Sequence, residues 1–170
     1  MLAGYLLQTI ERHSDALTDA LITDLTTNDR TPSFRRLPVD ALRTRAHDLY
    51  RHLSDWLAAR SEAQVDATFE ALGRQRFGEA IPLEELVFAL VLTKQHLRHK
   101  VVSLGQVESS IELHYENDLH AMIDRFFDRA VYATVTGYER ARREPPAAEP
   151  REPWAKFHFE TSANVGAWMP

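Results

Sequence analysis

Two histidines near the end of an apolar segment are the residues of this sequence best placed to do chemistry. His96 and His99 lie in the motif HLRH, within the stretch IPLEELVFALVLTKQHLRHK at 81–100. On a helix this spacing puts both imidazoles on one side, where they could hold a haem or a metal ion. Two ligands alone are a weak metal signal, and no nearby carboxylate completes a site. The favoured interpretation is that a buried helix reaches water or an interface at these histidines.

The rest of the sequence offers no recognisable catalytic motif. It has no cysteine, which excludes thiolate metal sites and cysteine nucleophiles. No histidine has a carboxylate three residues before it, as the Glu-x-x-His pairs of di-iron bundles require. The six glycines form neither a GxGxxG nor a Walker loop, and no GxSxG motif occurs. We therefore expect a protein that is not an enzyme and that binds no metal or cofactor.

Composition and charge exclude several classes of partner. The net charge of -5 and the pI near 5.9 provide no basic field for nucleic acid or an anionic membrane. The N-terminal stretch MLAGYLLQTIERH lacks the basic region of a signal peptide, and Lys94 interrupts the longest apolar stretch. The lack of cysteine fits a reducing compartment. We expect a soluble cytoplasmic protein with no nucleic-acid or membrane partner.

Helical periodicity runs through most of the chain, and no segment alternates in the manner of a strand. The pattern predicts an all-α bundle of about five main helices. The last of them is roughly 50 Å long at ~1.5 Å per residue, which is long for a domain of this size. The five helices are expected near 2–25, 38–56, 61–78, 82–105 and 109–142.

The character of the sequence changes after Arg142. The stretch REPPAAEPREP is too rich in proline for a helix and predicts an extended linker. An aromatic tail follows, and it is expected to pack on its own domain or on a second copy of the chain; the alternative is a disordered stub left by truncation of a longer chain. We therefore divide the chain into a helical domain at 1–142 and a linker with an aromatic tail at 143–170. The tail carries Trp154, Phe157, Phe159 and Trp168.

Apolar surface on the first and fourth predicted helices predicts a homodimer. Leu2 and Leu6 lie at the N-terminus, where a monomer would cover them poorly. The fourth helix has a second apolar side through Phe88 and Leu92. Because exposed apolar area costs about 25 cal/mol per Å², a two-fold interface is expected to bury these surfaces together with the aromatic tail.

Two stretches carry a resemblance to a known family. The sequences FGEAIPLEELVFALVLTKQHL and FFDRAVYATVTGYERA resemble the N-terminal sensor domain of RsbR-type proteins, the RsbT co-antagonists of the bacterial stressosome. The resemblance covers about residues 1–142. It implies a globin-like, haem-free helical bundle that forms homodimers and passes a signal to an output domain. RsbR-type proteins carry a C-terminal STAS domain, whereas 28 residues follow Arg142 here. We expect that the output domain was removed or lost, or that a separate signalling protein is the partner.

The resemblance also bears on the two histidines. It implies that the third helix corresponds to the globin helix that bears the proximal haem ligand. That helix, AQVDATFEALGRQRFG at 63–78, contains no His, Cys, Met or Tyr to bind haem iron. A globin-like fold without this ligand would close over its own side chains or over another small ligand. The alternative is a haem- or ligand-binding sensor that uses His96 or His99.

Overall fold

Every regular element in the described part of the chain is a helix. The computed structural model describes residues 2–59, 62–104 and 110–144. The prediction of an all-α bundle with a long C-terminal helix is confirmed. No described helix has the length and apolar character needed to cross a membrane. The α-helices are α1 (Leu2–Arg12), α2 (Ser14–Thr27), α3 (Val39–Arg51), α4 (Glu62–Gly78), α5 (Leu83–Leu104) and α6 (Ser110–Arg143), with a 3-10 helix at Pro32–Arg36 and a π-helical turn at Asp55–Ala59.

The segment predicted as one first helix is instead divided into α1 and α2 at His13. The backbone there leaves helical geometry, with φ −99° and ψ 15°. The ring Nδ1 of His13 lies 2.7 Å from the carbonyl oxygen of Thr9, within hydrogen-bonding distance. After the break, α2 packs along α3, while α1 contacts α6, α5 and α3. The spacing of apolar residues could not reveal this break, because the buried residues Leu7, Ile10 and Leu17 keep helical spacing across His13.

The second predicted helix is shorter than its apolar pattern suggested. The pattern extended to Trp56, but α3 ends at Arg51 and the chain turns at His52. Leu53 and Trp56 are still buried, with 0% and 6% of their surface exposed. Trp56 reaches the core from the π-helical turn that follows α3. The buried side of α3 therefore continues past the end of the helix.

The closest helix pair is α4 against α6, and two glycines allow it. A Cβ atom added at Gly73 would lie 2.0 Å from the carbonyl oxygen of Thr134. One added at Gly137 would lie 2.0 Å from the carbonyl oxygen of Glu70. Both distances are far inside van der Waals contact, so the two backbones approach as closely as they do because neither position carries a side chain.

Ion pairs run along both sides of this crossing. Arg129 of α6 makes a two-pronged contact with Asp66 of α4, through Nε at 2.8 Å and a terminal nitrogen at 2.6 Å. Further along, Arg140 of α6 lies 2.7 Å from a carboxylate oxygen of Glu70. Paired N–H donors on a carboxylate fix geometry as well as charge. These contacts hold α4 and α6 in one register.

The fourth predicted helix is central to the bundle, as its apolar pattern suggested. This helix, α5, packs against α6, α2 and α1. Its antiparallel register with α6 is set by Lys94 on Asp128 at 3.1 Å and by Arg98 on Asp124 at 2.5 Å. The buried residues of α5 are Glu85, Leu86, Ala89, Leu90, Leu92, Thr93, Leu97 and Val101.

Candidate functional site

A groove of about 880 Å³ separates α3 from α4. Its floor comes from α2, α5 and the inner sides of α3 and α4, and the floor residues are almost completely buried. Protein interiors are normally packed with few voids larger than a water molecule. A space of this size falls in the range of small-molecule sites, roughly 300–1,000 Å³. Apolar floor residues include Leu21, Leu25, Leu42, Ala46, Leu72 and Leu90.

Small side chains keep the mouth of the groove open. On the α3 rim Ala41 and Thr44 are exposed, and on the α4 rim Thr68 and Ala71 are exposed. The two rims belong to helices that pack elsewhere, since α3 rests on α2 and α1 while α4 rests on α6. The groove is therefore a gap between two packed units, and short rim residues leave access to its apolar floor.

One end of the groove is aromatic. Trp56 and Phe69 lie there with ring centroids 6.0 Å apart in an edge-to-face arrangement. Phe126 of α6 packs behind both rings, at 5.8 Å from Trp56 and 5.7 Å from Phe69. Such tilted contacts are favourable arrangements of aromatic pairs. This end offers a rigid apolar wall that connects the groove directly to α6.

The opposite end of the groove is charged. Arg76 of α4 is buried there, with 4% of its surface exposed, and its guanidinium contacts the carboxylate of Glu79. Its side chain also lies over the ring of Phe34, 5.9 Å from the centroid. Arg45 of α3 donates a hydrogen bond of 2.8 Å to the side-chain oxygen of Gln75. Two guanidinium groups from facing helices therefore meet at one end of an apolar groove.

The electrostatics of this end reflect two cations close together. Arg45 is exposed at the rim, but partial burial of its guanidinium lowers its pKa, and the neighbouring charge of Arg76 lowers it further, against the opposing charge of Glu79. Partial burial would raise the pKa of Glu79, but hydrogen bonds from Gln75 and Arg76 lower it overall. Glu79 is therefore ionised at neutral pH and balances one of the two arginines. The second positive charge has no equally close carboxylate at this end among the described contacts.

The end of α4 fixes the position of Arg76. The carbonyl of Arg76 accepts a 3.0 Å bond from the N–H of Ile81, and the carbonyl of Phe77 accepts one of 3.0 Å from Ala80. This is the Schellman pattern that closes a helix, and it needs a left-handed residue at its turn. Ala80 takes that conformation with φ 54°. The turn sets where α4 stops, and so where Arg76 meets the groove.

The buried carboxylate of Glu85 anchors the floor nearby. Both of its oxygens accept hydrogen bonds from Ser33, one from the backbone N–H and one from the hydroxyl, each 2.8 Å long. A buried carboxylate is costly unless it is hydrogen-bonded in this way. The contact ties the first turn of α5 to the 3-10 helix that carries Phe34, and thereby fixes the base on which Arg76 rests.

The two histidines singled out from the sequence lie outside the groove. The ring nitrogen Nε2 of His96 is 3.1 Å from a carboxylate oxygen of Asp24 on α2, and His99 is exposed. None of the residues that line the groove is a His, Cys, Met or Tyr, the side chains that bind haem iron. Over the described ranges, no group of three or more His, Asp or Glu residues could hold a metal ion.

The residues predicted for a dimer interface fall into three groups. Leu92 is buried within the subunit, with 6% exposed, and Phe88 is partly buried with Arg30 5.2 Å above its ring. The backbones of Leu2 and Leu6 belong to α1, and their side chains lie outside the described part. The remaining predicted contacts also lie outside the described residues: Trp154, Phe157, Phe159 and Trp168.

Sequence analysis missed the charged end of the groove. Arg76 follows Val65, Phe69 and Leu72 at helical spacing, so it occupies a core position of the α4 stripe. The position of this arginine among the apolar residues of α4 could have indicated a buried charge. Arg45 gave no such signal, because it lies beside the apolar stripe of α3 and gains significance only from its position opposite Arg76.

Comparison with known proteins agrees with the resemblance seen in the sequence. No curated protein and no solved structure matches the chain. A family model, described as the RsbT co-antagonist protein RsbRD N-terminal domain, matches residues 6–152. That match covers most of the sequence and contains all of the groove. The chain therefore belongs to the family of RsbRD N-terminal domains, the RsbT co-antagonists.

Proposed function

We propose that the chain is a haem-free sensory module that binds a small ligand in the α3–α4 groove. It acts as a homodimer, it passes its signal to a partner protein, and it catalyses no reaction. Membership of the RsbT co-antagonist family supports a signalling role of the stressosome type. A globin-like relationship and a cytoplasmic location stay predictions of the resemblance.

The groove is the observation that carries this proposal. Apolar side chains on the floor face an open groove, so they lack the contacts that a packed core would give them. A folded domain tolerates such a gap where filling it serves a purpose, and a ligand recovers the lost contacts. The floor is apolar and buried while the rim is small and exposed, which suits a guest that enters from solvent.

A ligand in the groove has a direct physical route to α6. One wall of the groove is α4, whose backbone touches α6 at Gly73 and Gly137. The aromatic wall formed by Trp56 and Phe69 rests on Phe126 of α6. Contacts this close transmit small displacements, because packed interfaces are not continuously deformable. We propose that filling the groove shifts or stiffens α4 and, through it, the longest helix of the domain.

The outer side of the α5–α6 pair is the surface that we propose for dimerisation. Val87 and Val91 of α5 and Val131 and Val135 of α6 are partly exposed, and Tyr132 is 72% exposed. The ion pairs between α5 and α6 place these residues at matching levels along the two helices. We call this set the α5–α6 face. Burial of such a face by a second copy would make a symmetric four-helix contact.

A neutral fluorescent probe tests whether the groove binds a ligand. N-phenyl-1-naphthylamine is apolar and uncharged, and its fluorescence rises when it leaves water. We expect saturable binding of one probe per chain, which Ala71→Trp abolishes by filling the mouth of the groove. The matched control is Ala67→Trp on the same helix, which does not line the groove and keeps binding. Equal binding by both variants would place the probe elsewhere and contradict the proposal.

An absorption spectrum tests the haem-free part separately. The chain is expressed with a haem precursor and its Soret region is measured. We expect no stoichiometric Soret peak, because no axial ligand lines the groove. A stoichiometric peak that disappears in His96→Ala or His99→Ala would instead establish the alternative, a haem sensor.

A further inference from the structure

The two ends of the groove differ in chemistry, and the difference specifies a class of ligand. One end is walled by the rings of Trp56 and Phe69. The other end carries the guanidinium groups of Arg45 and Arg76, which come from opposite walls. A guest that fills the length of the groove must therefore present an apolar body to one end and a polar group to the other.

Arg76 shows which polar group would fit. Its side chain is only 5% exposed, yet its Nε atom has no hydrogen-bond partner within the described chain. Arginine Nε always carries a hydrogen, so this is a buried donor without an acceptor. Leaving such a donor unpaired is costly, and a guanidinium group makes short and strong bonds with anionic acceptors.

The charge balance at this end also favours an anion. Arg45 and Arg76 contribute two positive charges, and Glu79 contributes one negative charge. Asp48, which also lines the groove, lies 3.9 Å from the ring of His52 and makes no ion pair with Arg45 or Arg76 among the described contacts. Two further charges lie near this end and offset each other: Arg36, which donates a hydrogen bond to the carbonyl of Ala80, and Glu85, which is held by Ser33. One additional negative charge would therefore bring the group to neutrality. A cationic guest would add repulsion at the same place.

We propose that the groove binds an anionic amphiphile, with a carboxylate or phosphate head at Arg45 and Arg76 and an apolar tail directed toward Trp56 and Phe69. This inference rests on the proposed function, because it requires the groove to be a ligand site. It goes further by assigning the chemical class of the ligand and the orientation in which it lies.

Ten-carbon probes that differ only in the head group test this assignment. Decanoate, monodecyl phosphate, 1-decanol and decylamine are each used to displace N-phenyl-1-naphthylamine, below the concentrations at which they form micelles. We expect at least one anion to displace the fluorophore at a concentration about tenfold or more below that of 1-decanol, which corresponds to one charge-assisted hydrogen bond. Decylamine should be the weakest. The stronger of the two anions identifies the head group as a carboxylate or a phosphate.

Variants on α3 connect the preference to the arginines. Arg45→Gln removes one cation from an exposed position, where folding is not at risk, and should reduce the ratio of anion to alcohol affinity about tenfold. The control Arg43→Gln removes an exposed arginine that pairs with Asp19 outside the groove, and should leave the ratio unchanged. Arg76→Gln should abolish the preference if it folds, but the test does not depend on it.

The outcomes separate this inference from the proposed function. If the fluorophore binds but anions and alcohol displace it equally, the groove is a ligand site and the anionic assignment is wrong. The same conclusion follows if Arg45→Gln and Arg43→Gln give the same ratio. If the fluorophore does not bind the wild-type chain at all, the proposed function fails and this inference fails with it.

Discussion

At the scale of single residues, the groove depends on side chains that break local rules. Arg76 occupies an apolar register of α4, and Ala80 takes a left-handed conformation that usually belongs to glycine. Glu85 is a carboxylate with 7% of its surface exposed. All three lie around the charged end of the groove. Departures of this kind concentrate at functional sites, where stability is traded for a particular geometry.

Replacing Ala80 by glycine should stabilise the protein. A non-glycine residue in the left-handed region is strained by about 1–2 kcal/mol in the folded state, and glycine removes this strain. Glycine also loses more conformational entropy on folding, which offsets part of the gain. We expect Ala80→Gly to raise the free energy of unfolding by ~1 kcal/mol in urea denaturation. Gly78→Ala, two residues earlier, is the control. At Gly78 no atom lies within 4 Å of an added Cβ, and the backbone is not left-handed. Destabilisation by Ala80→Gly would contradict the assigned turn.

At the scale of elements, the α4–α6 crossing depends on the absence of two side chains. An alanine Cβ at Gly137 would meet the backbone of Glu70, which cannot move aside as a flexible side chain can. We expect Gly137→Ala, and equally Gly73→Ala, to lower the free energy of unfolding by about 3 kcal/mol or more, because overpacking forces the helices apart. Thermal and urea unfolding measure the loss. A change as small as that of Gly78→Ala would show that the helices lie farther apart.

The α5–α6 pair should contribute a pH-dependent part of the stability. A hydrogen bond from Arg98, supported by the charges of Arg98 and Lys94, lowers the pKa of Asp124 despite its partial burial. A carboxyl whose folded pKa lies below its unfolded value of about 3.9 stabilises the fold above that pH. This stabilisation is lost as the pH falls through the folded pKa. Asp124→Asn should therefore destabilise the protein at pH 7 by more than it does at pH 3.

The control for this effect is Asp118→Asn on the same helix. Asp118 is 3.6 Å from His114, and its side chain is 58% exposed, so its pair is expected to contribute little. Urea unfolding of both variants at pH 7 and pH 3 provides the comparison. If Asp124→Asn cost as much at pH 3 as at pH 7, the ion pair would not be the source of the stability.

Sequence patterns predicted the helices better than they predicted how the helices meet. Val65, Phe69 and Leu72 recur at helical spacing within the predicted third helix, and all three are buried in α4. The break at His13 was missed, because both α1 and α2 keep apolar residues at helical spacing. The groove was missed for a different reason. It lies between α3 and α4, which are neighbours in the sequence yet pack on different partners, and helical periodicity contains no information about a gap.

At the scale of the whole molecule, the α5–α6 face should hold two copies together. Tyr132 is the most exposed apolar residue of this face, and a carboxylate at its position would be buried without a partner in a dimer. We expect light scattering at micromolar concentration to give a dimer for the wild type and a monomer for Tyr132→Glu. Val39→Glu, at an exposed apolar residue of α3, should remain dimeric. A monomeric wild type would refute this interface.

Amide hydrogen exchange with and without bound N-phenyl-1-naphthylamine tests most directly whether the groove is a sensory site coupled to α6. Saturating probe should slow exchange in α4 around residues 68–76, which form the groove wall. It should also slow exchange in α6 around residues 126–140, which pack against that wall. Ala71→Trp should show no response to the probe, and Ala67→Trp should respond as the wild type does. Unchanged exchange in α6 at saturating probe would contradict the coupling, and unchanged exchange in both helices would contradict the site itself.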